Sequence, residues 1–76
     1  MTKLIMHEID GTDTIINAEP ADGYYAMLGD ETKDACLAKG LHLYKDDADT
    51  CYLAGEDKVV LAKGMTTIRT YITYLL

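Results

Sequence analysis

The alternation of apolar and polar residues predicts two strands at the start of the chain, joined by a tight turn. Residues 3–9 (KLIMHEI) and 12–18 (TDTIINA) are rich in apolar and β-branched side chains and flank Asp10-Gly11. Asp-Gly between two such runs is typical of a type I′ hairpin turn, in which both central residues take positive φ. We therefore expect two strands that pair as an N-terminal β-hairpin.

The next part of the chain predicts one short helix. Pro20 stops the second strand because it cannot donate to a strand ladder. The run YYAML at residues 24–28 fits either a third strand or the first turn of a helix. Over residues 31–39, acidic side chains near the start and a lysine at the end complement the helix dipole, and Gly40 follows as a stop signal. We expect a helix at residues 31–39 with a thin apolar stripe.

After this helix, three short β-capable runs are separated by turn residues. They are LHLY at 41–44, TCYLA at 50–54 and KVVLA at 58–62. Short runs of this kind, broken by acidic or glycine-containing turns, are typical of a meander of antiparallel strands.

The last eleven residues, 66–76 (TTIRTYITYLL), fit two structures. As a helix, Ile68, Ile72 and Leu75 form an apolar stripe at helical spacing. As a strand, alternate residues share a face, and the enrichment in Thr, Ile and Tyr favours this choice because β-branched and aromatic side chains lose freedom in a helix. We predict a strand, with a helix as the alternative. A strand of this length needs a neighbour on both sides, or its edge is free to pair with another chain.

Together these elements predict a small α+β fold in a single domain, residues 1–76. It comprises an N-terminal β-hairpin, one short helix and mostly antiparallel C-terminal strands. The expected hydrophobic core consists of Leu4, Met6, Ile15, Tyr25, Leu28, Leu37, Leu41, Tyr52, Val60, Ile68 and Ile72.

One stretch also resembles a known family. The run EIDGTDTIINAEPADG at residues 8–23, followed later by YLAGE at 52–56, resembles the first hairpin, the helix entry and a middle strand of ubiquitin-like β-grasp proteins. The order of hairpin, helix, strands and a β-rich last segment agrees with that family. The resemblance implies a β-grasp-like sheet as an alternative fold, and it transfers no functional residue.

The charge balance bears on what the protein binds. Thirteen Asp and Glu residues against seven Lys and Arg give a formal net charge of −6. Binding to nucleic acid or to an anionic membrane relies on clustered Lys and Arg that displace counterions, so neither partner is expected. A protein with a basic surface, or a second copy of the chain, fits better.

Two groups of side chains are candidates for such a binding surface. The first comprises the acids of the predicted turns and helix: Asp30, Glu31, Asp34, Asp46, Asp47, Asp49, Glu56 and Asp57. If the turns meet at one end of the fold, these acids form one negative surface, which can imitate nucleic-acid phosphates in a basic groove. The second group is Tyr71 and Tyr74, which lie on opposite faces of a C-terminal strand, so that at least one is exposed.

No set of residues has the spacing of a catalytic or metal site. The chain has no serine, and a cysteine nucleophile needs His7 or His42 as its base, although both histidines fall inside predicted strands. Cys36 and Cys51 lack the paired spacing of zinc modules, and the acidic loop 46–49 departs from the calcium-binding EF-hand pattern. We therefore expect no enzyme activity, no metal and no cofactor.

Location and function follow as expectations. Neither a signal peptide nor a run of about 20 apolar residues is visible, so we expect a cytoplasmic protein with reduced cysteines. The first hypothesis is a non-enzymatic inhibitor or adaptor that engages a basic protein, as compact acidic proteins of phages and mobile elements do. The alternative is a structural or assembly subunit that oligomerises through its C-terminal strand.

Overall fold

The computed structural model describes all residues, 1–76, and contains five strands, two α-helices and one 3₁₀ helix. The strands are β1 (Thr2–His7), β2 (Asp13–Pro20), β3 (His42–Lys45), β4 (Cys51–Ala54) and β5 (Val60–Lys63). The helices are the 3₁₀ helix Asp22–Met27, α1 (Asp30–Ala38) and α2 (Met65–Leu75). The prediction of a small α+β fold with an antiparallel sheet is confirmed. No helix has the length and apolarity needed to cross a membrane.

Consecutive strands are neighbours throughout the sheet, and every neighbouring pair is antiparallel. β1 pairs with β2 along all six of its residues, whereas β2 pairs with β3 only through Glu19 and Pro20. The β1–β2 pair therefore separates from the rest of the sheet beyond Glu19. It folds over one face of β3–β5, where the amide of Ile5 donates to the carbonyl of Lys58 at 2.9 Å, beside the start of β5.

Two hydrophobic clusters lie on opposite faces of β3–β5. The cluster between the sheet and the helices contains Tyr25, Cys36, Leu41, Leu43, Cys51, Leu53, Ala62, Ile68 and Ile72. The cluster between the sheet and the β1–β2 pair contains Leu4, Ile16, Ala18, Tyr44, Tyr52 and Ala54. The strands β3–β5 therefore form the middle of three layers, since side chains from both of their faces are buried.

A β-bulge keeps β5 in register with both clusters. The pairing of β4 with β5 shifts so that Leu53 lies opposite Ala62 and Ala54 lies opposite Val60. The extra residue, Leu61, remains 40% exposed. Because a bulge changes which face the following residues occupy, Val60 packs on the β1–β2 side and Ala62 on the helix side.

The predicted core is buried at six of its eleven positions and half-buried at four more. The buried residues are Leu4, Tyr25, Leu41, Tyr52, Ile68 and Ile72, and the half-buried ones are Met6, Leu28, Leu37 and Val60. The prediction for Ile15 is wrong, because its side chain is 56% exposed. The pairing of β1 with β2 places Ile15 beside Ile5 on the outer face, while Ile16 points inward. Adjacent residues of a strand face opposite ways, so the register buries only one of the two isoleucines.

The prediction of a C-terminal strand is also wrong, because this segment forms helix α2. Gly64, with φ of 86°, separates β5 from the helix. Ile68 and Ile72 lie one turn apart and are 0% and 5% exposed against the helix-side cluster. The hydroxyls of Thr70 and Thr73 each donate to the carbonyl four residues earlier, at 3.1 and 2.8 Å. Burial of this face outweighs the weak β preference of the composition, since tertiary packing supplies most helix stability in proteins.

The loop between β1 and β2 differs from the predicted two-residue turn. The amide of Glu8 donates to the carbonyl of Thr12 at 2.8 Å, and the amide of Gly11 donates to the carbonyl of Glu8 at 3.1 Å. Of the two central residues expected to have positive φ, only Gly11 does, at 89°. The loop is therefore three residues long with glycine in the left-handed position, the next most common type for such a connection. The carboxylate of Asp10 supports it by accepting from the amide and hydroxyl of Thr12.

The remaining elements agree with the sequence more closely. α1 begins and ends one residue before the predicted 31–39, and the ambiguous YYAML run lies mainly in the 3₁₀ helix. The hydroxyl of Tyr25 donates to the carbonyl of Leu41 at 3.0 Å and fixes this helix to the sheet side of the core. The β-grasp alternative is not supported, because the last segment is helical and the strands follow one another in sequence order.

Candidate protein-binding surface

The eight acids predicted as a binding surface fall into three separate groups. Asp30, Glu31 and Asp34 lie in α1, on the helix side of the sheet. The other five lie in two turns: Asp46, Asp47 and Asp49 between β3 and β4, and Glu56 and Asp57 between β4 and β5. Successive turns of an antiparallel meander lie at opposite ends of the shared strand. Here that strand is β4, whose four residues span about 13 Å. These turns therefore do not meet at one end of the fold, and the condition for a single negative surface formed by all eight acids is not met.

The β4–β5 turn lies beside the C-terminal end of α1 instead. Glu56 and Asp57 line an open groove of about 500 Å³ together with Lys39 and Gly40. This turn therefore has a lysine among its near neighbours and does not add to the charge of the β3–β4 turn.

Three further acids lie in or beside the β1–β2 loop: Glu8, Asp10 and Asp13. They are separate from the β3–β4 turn, because β2 pairs with β3 only at Glu19 and Pro20. Glu19 lies six residues after Asp13 along β2, a distance of about 20 Å in an extended strand. We call the carboxylates of the β3–β4 turn the acidic end: Asp46, Asp47 and Asp49.

Asp46 organises the turn at the acidic end. Its carboxylate accepts hydrogen bonds from the hydroxyl of Tyr52 at 2.8 Å and from the amides of Ala48 and Thr50 at 2.9 and 3.0 Å. These donors, the Tyr52 hydroxyl first, hold the pKa of Asp46 below its ordinary value. The carboxylate is therefore ionised at neutral pH and ties the turn to the buried ring of Tyr52.

The loop between β1 and β2 holds its own carboxylates in a similar way. The hydroxyl and amide of Thr12 lower the pKa of Asp10. Asp13 contacts Nδ1 of His7, the residue paired with it across β1 and β2. These contacts position the charges without burying them, since both carboxylates remain exposed.

Asp47 and Asp49 are the least constrained carboxylates of the acidic end. Both are exposed, and neither carboxylate accepts a hydrogen bond. Asp49 lies 3.7 Å from the ammonium of Lys45, which is also 3.4 Å from Glu19. A second protein can therefore contact these two carboxylates without breaking the hydrogen bonds that hold the turn.

A groove separates the β3–β4 turn from β2. Its volume is about 390 Å³, and it is lined by Ile15, Ile16, Asn17, Asp46, Asp47, Ala48 and Tyr52. Both apolar side chains and carboxylates line the groove, a combination that suits a basic and partly apolar partner.

The two tyrosines singled out from the sequence lie on α2, away from the acidic end. Tyr71 is half-buried against the helix-side cluster, and Tyr74 is 87% exposed. The structure therefore does not bring either tyrosine together with the carboxylates of the acidic end.

The two cysteines lie in the helix-side cluster, and the two histidines lie outside it. Cys36 and Cys51 are both buried and unpaired, and burial raises the pKa of each thiol, which disfavours the reactive thiolate. His42 lies with its Nδ1 3.0 Å from a carboxylate oxygen of Asp22, whose other oxygen accepts from the amide of Leu43. This contact ties the 3₁₀ helix to β3.

The only arginine of the chain lines a cleft on the helix side. The cleft has a volume of about 250 Å³ and is lined by Met27, Leu28, Thr32, Arg69, Ile72 and Thr73. The guanidinium of Arg69 donates to the carbonyl of Met27 at 3.3 Å and so joins α2 to the 3₁₀ helix. This contact gives Arg69 a structural role.

Comparison of the chain with protein-family models, with curated proteins and with solved structures finds no match. A function is therefore inferred from the surface of this chain alone.

Proposed function

We propose that the protein is a non-enzymatic cytoplasmic binding module, an inhibitor or adaptor, that engages a basic surface of another protein through the acidic end. The observation that supports this proposal is the set of three carboxylates in the β3–β4 turn, of which Asp46 and Asp47 line the groove beside β2. A groove that binds nucleic acid is one such basic surface, in which the carboxylates would take the places of phosphates.

The physical basis is charge complementarity between two surfaces. Exposed charge pairs contribute only about 0.2–1 kcal/mol each, so several carboxylates must act together. A surface of one sign mainly increases the association rate and excludes partners of the same sign. Such binding weakens as salt is added, because exposed charges are screened beyond about 10 Å at 0.1 M ionic strength.

The proposal is tested by neutralising Asp47 and Asp49, the two carboxylates of the acidic end that accept no hydrogen bond. The double variant Asp47→Asn, Asp49→Asn removes two charges and leaves the hydrogen bonds of Asp46 intact. Immobilised wild-type and variant proteins are used to capture partners from a cell extract, and the captured proteins are quantified by mass spectrometry. The affinity of the purified main partner is then measured at low and high salt. We expect roughly fivefold weaker binding by the variant at low salt.

A matched control distinguishes the acidic end from net charge. The double variant Glu31→Gln, Asp34→Asn removes the same number of charges from α1, on the opposite side of the sheet from β1 and β2. It should bind the partner like the wild type. Equal binding by all three proteins, or binding that is indifferent to salt, would contradict the proposal.

The assembly hypothesis depended on a C-terminal strand. Residues 65–75 form α2, with Ile68 and Ile72 buried inside the chain's own core, so no strand edge exists there for pairing. Assembly through that segment is therefore not proposed.

A further inference from the structure

One edge of β2 is free along most of its length. β1 covers the other edge over residues 13–18, but β3 reaches only Glu19 and Pro20. Beyond Lys45 the chain leaves the line of β3 and enters the β3–β4 turn. Residues 13–17 of β2 therefore have no strand beside them on the β3 side.

The hydrogen bonds of β1 identify which backbone groups face this free edge. The amide of Ile5 points away from β2 and donates to the carbonyl of Lys58, whereas the amide of Glu8 donates to the carbonyl of Thr12. In an antiparallel pair, successive residues point alternately toward and away from the partner. Ile15, which is paired with Ile5, and Asn17 therefore direct both N–H and C=O to the free edge, and neither backbone appears in any hydrogen bond outside the strand ladders.

The surroundings of this edge favour an occupant of particular chemistry. The groove of about 390 Å³ runs between the edge and the β3–β4 turn, with Asp46 and Asp47 on its far side. Asp13 lies at one end of the edge, and the exposed side chain of Ile15 lies on its outer face. An added strand would place its side chains next to these residues, because side chains of adjacent strands contact each other across a sheet.

A second copy of the chain is a poor occupant of the same edge. Pairing two β2 edges about a two-fold axis would bring the β3–β4 turns of both copies, each with three carboxylates, toward the shared edge. Charge on or beside an edge strand is a common means of preventing self-pairing.

From this geometry we infer that the free edge of β2 binds an extended segment of a partner protein, with alternating basic and apolar residues, as an added strand. Its backbone pairs with Ile15 and Asn17, an apolar side chain packs on Ile15, and its basic side chains face Asp47 across the groove. The inference rests on the proposed function and specifies how the basic partner is recognised. Backbone pairing supplies affinity in this mode, and side chains supply selectivity.

Peptide backbone methylation tests the inference directly. The probe is a synthetic peptide of about nine alternating lysine and valine residues, a common strand length. Two further peptides carry N-methyl groups on the odd or on the even amides, with unchanged charge. An added strand uses one of its edges, so one methylated peptide should bind about tenfold or more weakly because it loses several hydrogen bonds, while the other should bind nearly as well as the parent. Equal affinities of the two methylated peptides, or no binding of the parent, would overturn the inference.

Amide hydrogen exchange provides a second readout on the folded protein. Addition of the parent peptide should slow exchange at Ile15 and Asn17, whose amides face the free edge. The amides of Thr14 and Ile16 point to β1 and serve as internal controls that should change little. Protection confined to α2 or to the β4–β5 turn would also overturn the inference.

The outcomes separate this inference from the proposed function. If the methylated peptides bind equally well while Asp47→Asn, Asp49→Asn still weakens capture of a partner, charge-directed binding stands and strand addition fails. If that variant captures the partner like wild type, the proposed function fails whatever the peptides do. Light scattering of the protein alone tests whether a second copy of the chain occupies the edge. A dimer in which the amides of Ile15 and Asn17 are protected from exchange would mean that the occupant is a second copy and not a partner segment.

Discussion

The hydrogen bond between Tyr52 and Asp46 predicts that one substitution changes stability at both ends of the pH scale. The ring of Tyr52 is buried beneath the β1–β2 pair, and its hydroxyl donates to Asp46 at 2.8 Å. Burial, followed by the neighbouring carboxylate, raises the pKa of Tyr52 to about 12. The variant Tyr52→Phe keeps the ring and removes only the hydroxyl.

At neutral pH we expect Tyr52→Phe to be less stable than wild type by about 1 kcal/mol, the usual contribution of such a hydrogen bond. In alkaline solution the order should reverse. Because folding raises the pKa of the Tyr52 phenol, the protonated phenol stabilises the fold, and this contribution is complete below the ordinary phenol pKa near 10. The contribution is lost as the pH rises to about 12, the pKa of Tyr52 in the folded protein. The loss amounts to about 2–3 kcal/mol in wild type and is absent from the variant.

On the acid side the sign is opposite. Folding lowers the pKa of Asp46, chiefly through the Tyr52 hydroxyl, so this carboxylate stabilises the fold above its ordinary pKa of 3.8. That contribution disappears as the pH falls through the lowered value in the folded protein. Removing the hydroxyl weakens the cause of the shift, so the variant should lose less stability than wild type as the pH falls below about 4.

The assay is urea unfolding of both proteins followed by far-ultraviolet circular dichroism, at pH values from acid to alkaline. Subtracting the free energy of unfolding of the variant from that of wild type cancels the contributions of all other titrating groups. This difference should be largest near neutral pH, decrease on both sides and change sign above about pH 11. A difference that is constant across the whole range would show that Tyr52 and Asp46 are not coupled in the folded protein and would refute the reasoning.

Two further predictions concern the helix-side core. Ile68→Ala should lower the free energy of unfolding by about 2–4 kcal/mol because the side chain is fully buried. Thr67→Ala, on the exposed side of α2, should change it by less than about 0.5 kcal/mol. Similarly small effects of both variants in urea unfolding would contradict the helical structure of this segment. Cys36 and Cys51 should react slowly with a thiol reagent in the native protein and rapidly in urea, since both are buried with a raised pKa. Fast modification of either thiol without denaturant would mean that this core opens readily.

Much of the secondary structure was predictable because local chemistry and the fold agree there. Glycine and acidic turns separate the three central strands, and observed β3–β5 lie within a few residues of the predicted runs. α1 was predictable to within one residue from its charges and from Gly40, whose φ is 75°. At these positions the turn residues and helix-end signals favour the same local structure that the fold requires.

The candidate surface was only partly predictable. The acids of the β3–β4 turn were identified from the sequence, but their separation from the acids of α1 and of the β4–β5 turn was not, because it depends on how the strands are ordered. The free edge of β2 was not predictable either. It exists because β3 ends at Lys45 while β2 extends beyond it, a difference in length that becomes meaningful only once the two strands are paired.

The sequence by itself determined the class of fold, the central strands, the short helix and the excess of negative charge. Those features depend on residues close together in the chain, where turn chemistry and side-chain alternation act directly. The tertiary structure decided that residues 65–75 are helical, that Ile16 rather than Ile15 is buried, and that the predicted acids fall into separate groups. Each of these depends on a neighbour distant in sequence, since burial against the sheet outweighs local propensities of a few tenths of a kcal/mol per residue.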